Sequence, residues 1–316
     1  MNKIFKFIIN NPILLVLLLL IFVFSFIKEQ FISYENITNI LRQTSMLGFV
    51  AIGMAFVIIA GGIDLSVGST MAMSSVIVAT VAKLYPPIIG MNLAIIIGIL
   101  IGFSNGLMVV KLKFQPIIAT LITMATIRGL AMKISDSRPI FGSIPEEFFL
   151  LSDGFIFGIP IPAILFLLAA AISIFFLNLT NTGREIYQVG GNPEAARLAG
   201  VNVDKIKIIT YTISGFMSSF AGLILAARMQ SGEAVRTGIG WELDAIAATA
   251  IGGISLMGGT GTIFGALCGT YIIGMMTNIF NLIGMNPYWQ RIVIGLLILL
   301  AVTSYGKIFK KVIKKK

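Results

Sequence analysis

Few residues in this chain could do covalent chemistry, and the polar types that remain point to hydrogen bonding. Histidine is absent and Cys268 is the single cysteine, so no paired-ligand motif for zinc or haem exists and no internal disulfide can form. No nucleophile has a histidine base beside it. The glycine-rich stretch 252–261 holds no lysine, which removes it as a phosphate-cradling loop. Asp64 is the most informative charge, because it interrupts a long apolar stretch within Gly61-Gly62-Ile63-Asp64-Leu65-Ser66-Val67-Gly68-Ser69. A carboxylate inside a membrane is costly unless satisfied. Two roles fit. Asp64 or Ser66 caps the helix that follows by bonding its free N–H groups, or Asp64 lines a hydrophilic path and bonds a polyhydroxylated solute.

Ser66, Asn105, Gln115, Asn278, Trp289 and Gln290 complete the set that could bond or stack on such a solute. Asn105, Asn278 and Gln290 serve equally well as polar glue between helices. Trp289, beside Tyr288, suits an interfacial aromatic belt. Glu242 and Asp244 open an apolar segment, where acids complement a helix dipole; a proton relay is the alternative. Arg128 must face a protein interior or snorkel toward the surface.

A second constellation does mechanical rather than chemical work. Gly190-Gly191-Asn192-Pro193-Glu194-Ala195-Ala196-Arg197-Leu198-Ala199-Gly200 spells a short helix with every boundary signalled. Asn192 suits the N-cap, Pro193 the first helical position and Glu194 the positive end of the dipole. Gly200 can adopt the left-handed conformation that ends a helix. So short a helix is unstable alone and calls for a partner to lie against.

The elements that position these residues are membrane spans. The 316 residues are 57% hydrophobic and 11% charged, far below the roughly 25% charge of soluble domains. Long apolar runs argue for helices rather than a β-barrel. Windows near 11–27, 43–60, 66–84, 88–110, 114–134, 160–180, 207–229, 241–257, 261–283 and 288–305 predict an all-α polytopic membrane protein of about ten helices. The first window ends without a small-residue cleavage site and reads as a span rather than a signal peptide.

Basic residues orient the chain. In a ten-span arrangement Lys3, Lys6, Lys111, Lys113, Arg184, Arg197, Lys205, Lys207 and the tail lysines at 307, 310, 311 and 314–316 share one side, which the positive-inside rule makes cytoplasmic. Both termini then lie in the cytoplasm, and the net charge of +10 reflects topology rather than nucleic-acid binding. The other side is mixed or acidic, and its largest segment, 135–159, is either an ordinary solvated loop or a place where an outer partner docks by charge complementarity.

The segment 61–69 recurs as Gly252-Gly253-Ile254-Ser255-Leu256-Met257-Gly258-Gly259-Thr260, with glycine ladders Gly98, Gly102, Gly106 and Gly261, Gly265, Gly269 nearby. Period-four glycines let helix backbones approach closely. The chain therefore reads as two related halves, about 36–134 and 207–305, joined through a cytoplasmic loop at 181–206 and followed by a basic tail at 306–316. Transporters are often built so, with broken helices beside the path. The motifs leave a parallel and an inverted repeat equally open.

Gly62-Ile63-Asp64-Leu65-Ser66-Val67-Gly68, the stretch 252–261, Gln115-Pro116-Ile117-Ile118-Ala119-Thr120-Leu121, Glu242-Leu243-Asp244-Ala245-Ile246-Ala247 and the 190–200 loop together resemble the permease subunit of ribose/xylose-type monosaccharide ABC importers, over about Asn36 to Val302. The resemblance implies a bacterial cytoplasmic-membrane subunit that works as a pair. Its partners would be two cytoplasmic ATPase domains and an extracytoplasmic sugar-binding protein. ATP and Mg would sit on the ATPase, and this chain would bind no cofactor or metal and catalyse no reaction. Gly191, Asn192, Pro193, Glu194, Ala195, Ala196, Arg197 and Gly200 would form the ATPase-coupling loop, because Glu194-Ala195-Ala196-x-x-x-Gly200 matches the glutamate-alanine-alanine-x-x-x-glycine core of importer permeases. The leucine-proline that often follows is replaced by Ile206-Lys207-Ile208. The implied substrate is a monosaccharide, a pentose first, with a hexose or nucleoside as alternatives. An ion-coupled secondary transporter is the rival class, with Asp64 alone to carry its ions.

Overall fold

The computed structural model describes residues 12–297 and 299. Lys3, Lys6 and the basic tail 306–316 lie outside the described residues. Every apolar window of the sequence contains a helix: α1 Pro12–Ile27, α2 Tyr34–Ile59, α3 Val67–Val81, α4 Pro87–Val110, α5 Pro116–Ile134, α6 Ile161–Leu179, then α9 Val203–Met229, α10 Trp241–Ile251 and α11 Ile263–Leu282, with a last helical stretch at 287–297. Between α6 and α9 lie α7 Asn181–Gly191 and α8 Pro193–Leu198. Six of these, α2, α4, α5, α6, α9 and α11, are long and apolar enough to cross a membrane.

Helices α2 and α9 form the centre. Phe49, Ile52, Met54 and Phe56 of α2 are fully enclosed, as are Tyr211, Leu223 and Ile224 of α9, whereas α5 buries little of itself. The first glycine ladder explains how α4 reaches α9. A Cβ on Gly98 would fall 2.3 Å from Ser219 Cβ, one on Gly102 2.2 Å from the Tyr211 carbonyl and one on Gly106 2.7 Å from Ile208 Cα. Backbone therefore lies on backbone, the arrangement that gives van der Waals contact where lipid supplies no hydrophobic drive. The second ladder is shorter than expected: Gly265 and Gly269 pack on the Gly252 and Ala248 carbonyls of α10, but Gly261 precedes α11 and belongs to the linker.

Within the packed bundle, α3 with 15 residues and α10 with 11 are too short to span a hydrocarbon core of about 30 Å at 1.5 Å per residue. Each is preceded by irregular chain, 60–66 and 233–240. Their starts meet, because a Cβ on Gly68 would lie 2.1 Å from the Gly238 carbonyl. From there they run in opposite directions. Helix α3 leads toward Ser75, whose hydroxyl accepts from Glu233 N at 3.3 Å. Helix α10 leads back toward Gly258, which abuts Gly61. The pair is thus antiparallel, an inverted arrangement of two half-helices.

The segment 135–159 folds as helical turns Glu146–Phe149 and Leu150–Asp153 and a hairpin, β2 Phe155–Ile156 with β3 Ile159–Pro160; β1 Ile140–Phe141 pairs with β4 Ser231–Gly232. Arg42 anchors it through a 2.5 Å ion pair with Asp153 and a contact over the Phe155 ring.

Candidate functional site

The short helix forms as its capping signals require. The Asn192 side chain accepts from Glu194 N and Ala195 N, both at 3.0 Å, and Gly200 takes φ +85°. Of residues 191–200, Ala196 alone is buried, and Leu198 is 91% exposed. Such a surface offers a capped, solvent-facing helix with none of the described residues laid over its exposed face.

Helix α7, absent from the sequence reading, ties this element to the spans. Its N-cap Thr180 accepts from Gly183 N at 3.0 Å, and Ile186 and Val189 are buried. Its last turn ends in a three-way backbone contact. A Cβ on Gly190 would lie 1.7 Å from the Ile59 carbonyl at the end of α2 and 2.6 Å from Gly259 N. The same Gly259 N donates to that Ile59 carbonyl at 2.9 Å. Gly258, at φ +86°, approaches Gly61 and the Gly190 carbonyl. Tyr187 donates to the Gly261 carbonyl at 2.9 Å, and burial raises its phenol pKa so that it remains a neutral donor. The two recurrent glycine stretches of the sequence therefore touch each other and the residues immediately before α8.

Asp64, Ser66 and Asn105 come together as one buried cluster. Asp64 Oδ1 accepts from Ser66 N at 3.0 Å and Ser66 Oγ at 2.6 Å, and Asp64 Oδ2 accepts from Ser214 Oγ at 2.7 Å. Asn105 Nδ2 donates to Ser66 Oγ at 2.8 Å, while Thr123 Oγ1 donates to Asn105 Oδ1 at 2.6 Å. The carboxylate lies beside Ser214, about eleven residues or roughly 16 Å along α9 from its start at Val203. Residues from the α3 entrance, α4, α5 and α9 meet there, so Asp64 is satisfied by a local bond from Ser66 N and by interhelical bonds; the capping expectation is not met, because α3 has no side-chain cap bond to its free N–H groups. The other candidates stand apart. Asn278 exchanges amide bonds with Asn36 at 2.7 and 3.0 Å. Gln290 donates to Asn281 and to the Met285 carbonyl. Gln115 is exposed at the start of α5, and Trp289 is 62% exposed. Arg128, whose partner the sequence left open, donates from Nη1 to the Ala234 and Thr237 carbonyls at 2.7 and 2.6 Å, holding the irregular run before α10.

A cavity of about 240 Å³ lies between α2, α9, α10 and α11, lined among others by Gln43, Thr44, Arg228, Trp241, Asp244 and Thr277. Of these, the sequence had singled out Asp244 alone, as a helix-end charge. The described residues contain no group of three His, Cys, Asp or Glu able to hold a metal.

Residues 36–302 match the permease component of the branched-chain amino acid transport system family. The chain belongs to that permease family. It is 42% identical to the ribose import permease protein of Haemophilus influenzae over 95% of this chain and 94% of the other. It is also 42% identical to that of Bacillus subtilis over 90% and 89%. The L-arabinose transport system permease protein of Escherichia coli is 41% identical over 86% and 83%. No solved structure matches the chain.

Proposed function

We propose that this chain is the membrane-spanning permease subunit of an ATP-driven importer in a bacterial cytoplasmic membrane, and that it carries a monosaccharide, ribose first. The observation that carries the mechanism is the exposed, doubly bonded cap of α8 set directly after the Gly190 backbone contact. A helix of six residues does not persist for its own sake. Its exposed face fits a groove on a cytoplasmic ATPase, and the motion of that ATPase is passed through α7 to the ends of α2 and of the 252–262 linker. Helix α2, together with α10 and α11 that the linker joins, lines the 240 Å³ cavity further along, so a push at one end re-packs the other. Differential contact of the ATPase with α8 in its nucleotide states is what drives the switch.

Sugar identity rests on the ribose permeases at 42% identity; an arabinose-type pentose is the second reading, favoured by the 41% relative. The working assembly is a pair of permeases with two ATPases and an outer sugar-binding protein, with ATP and Mg on the ATPases. Reconstituted vesicles test the class directly. Uptake should require ATP on the ATPase side together with the loaded binding protein. Uptake driven by an ion gradient alone would refute it. Leu198→Asp should abolish both uptake and binding-protein-stimulated ATP hydrolysis while insertion and yield stay normal.

A further inference from the structure

The cavity between α2, α9, α10 and α11 holds more free polarity than a packing defect would. Thr44 is 2% exposed, yet its Oγ1 has no hydrogen-bond partner. An unpaired buried hydroxyl is costly, and helical threonines can avoid it by bonding the preceding turn. Thr44 does not. The facing helix makes room for it: a Cβ on Gly274 would fall 2.1 Å from that hydroxyl oxygen, so a glycine stands in mid-helix despite its entropic cost. The half-buried Asp244 carboxylate and Arg228 guanidinium line the same space and form no ion pair within 4 Å among the described residues. Trp241 supplies an aromatic surface, and Gln43 and Thr277 supply further donors and acceptors.

We infer that this cavity is a binding station for a neutral, polyhydroxylated ring of monosaccharide size. An acceptor (Asp244), a charged donor (Arg228) and a hydroxyl that can do either (Thr44) are what vicinal hydroxyls need, and a bond to Thr44 would satisfy a buried hydroxyl that has no hydrogen-bond partner. The opposite charges of Asp244 and Arg228 suit a neutral guest better than an ion. The size fits as well, since sites for drug-sized ligands run to about 300–1,000 Å³ and this space is about 240 Å³. Its position at the first turn of half-helix α10 is where transporters commonly place a substrate, beside a discontinuous helix. The station rests on the sugar-importer reading and adds the residues that hold the sugar.

The test uses the permease with its ATPase in vesicles, with sugar-loaded binding protein outside, and reads uptake and ATP hydrolysis in parallel. Three variants are compared: Thr44→Val, Asp244→Asn and Trp241→Leu, with Trp241→Phe as the conservative control. The expected result is a tenfold or greater loss of ribose uptake at subsaturating sugar, with stimulated ATP hydrolysis within twofold of the parent and recovery in Trp241→Phe. Thr44→Val removes an unpaired hydroxyl without changing shape, so its thermal stability should hold or rise while uptake falls. A structural defect would move both downward. Uptake within twofold of the parent in all three variants would overturn the station, as would loss of ATP hydrolysis alongside uptake. A parent complex that no sugar stimulates would instead sink the importer reading itself.

Discussion

Two adjacent glycines give the sharpest test of the backbone contact before α8. Adding a methyl group at Gly190 puts a Cβ 1.7 Å from the Ile59 carbonyl oxygen, where ordinary contact begins at 3.4 Å. Backbone must therefore retreat by about 1.7 Å, and nothing there is the flexible end of a side chain. The retreat breaks the Gly259 N to Ile59 O bond, leaving buried groups unpaired at about 1–3 kcal/mol. Overpacking adds about 1–3 kcal/mol, and the gain of helix propensity returns roughly 0.5–1 kcal/mol. Mid-range values leave a net loss of about 3 kcal/mol. Gly191→Ala is the internal control, because a Cβ at Gly191 meets nothing within 4 Å; its effect should stay within about 0.5 kcal/mol. Apparent melting temperature of the detergent-solubilised permease, with sugar uptake in parallel, separates the two. Equal stability and uptake for Gly190→Ala and Gly191→Ala would refute the contact.

Three further outcomes follow from single sites. Asn192→Ala removes two cap bonds and should weaken α8 by about 1 kcal/mol, read as weaker co-purification of the ATPase with unchanged yield of the permease. Asp64→Asn offers an N–H₂ where Ser66 and Ser214 both donate; one donor is left facing another, and a loss of about 2–4 kcal/mol should appear as a lower melting temperature, with Asp64→Glu no rescue because the cluster is closed. Arg128→Leu frees the Ala234 and Thr237 carbonyls and should expose the 233–240 run to limited proteolysis, whereas an unchanged digestion pattern would show that the run is held by other contacts.

Locally encoded features were legible without coordinates. Helix α8 was readable, with its start correct and its end within a residue, because capping depends on chain neighbours: Asn192, Pro193 and Gly200 act within a turn of themselves. The apolar windows likewise matched helices, since long apolar runs have few other solutions in a membrane. Asp64 was recognisable as costly, but the residues named with it mixed Ser66 and Asn105, which do meet it, with Gln115, Asn278, Trp289 and Gln290, which do not, and nothing in their spacing predicted Ser214 or Thr123 as partners. Helix α7 escaped notice because its pattern is polar on one face and its glycines at 183, 190 and 191 read as loop signals; Gly183 and Gly190 are there for close approach instead.

What the sequence determined by itself is therefore the class of molecule, the approximate spans and the capped helix. Tertiary structure alone decided that α3 and α10 are opposed half-helices, that Gly61, Gly190 and Gly258 share one contact, and that Thr44, Arg228, Trp241 and Asp244 line one cavity. The physical reason is distance along the chain. Capping and hydropathy are set by residues a few positions apart, whereas these contacts bring together segments remote in the chain, such as Gly61 with Gly258 and Thr44 with Arg228, where no periodicity carries the information and packing of whole helices selects the partners.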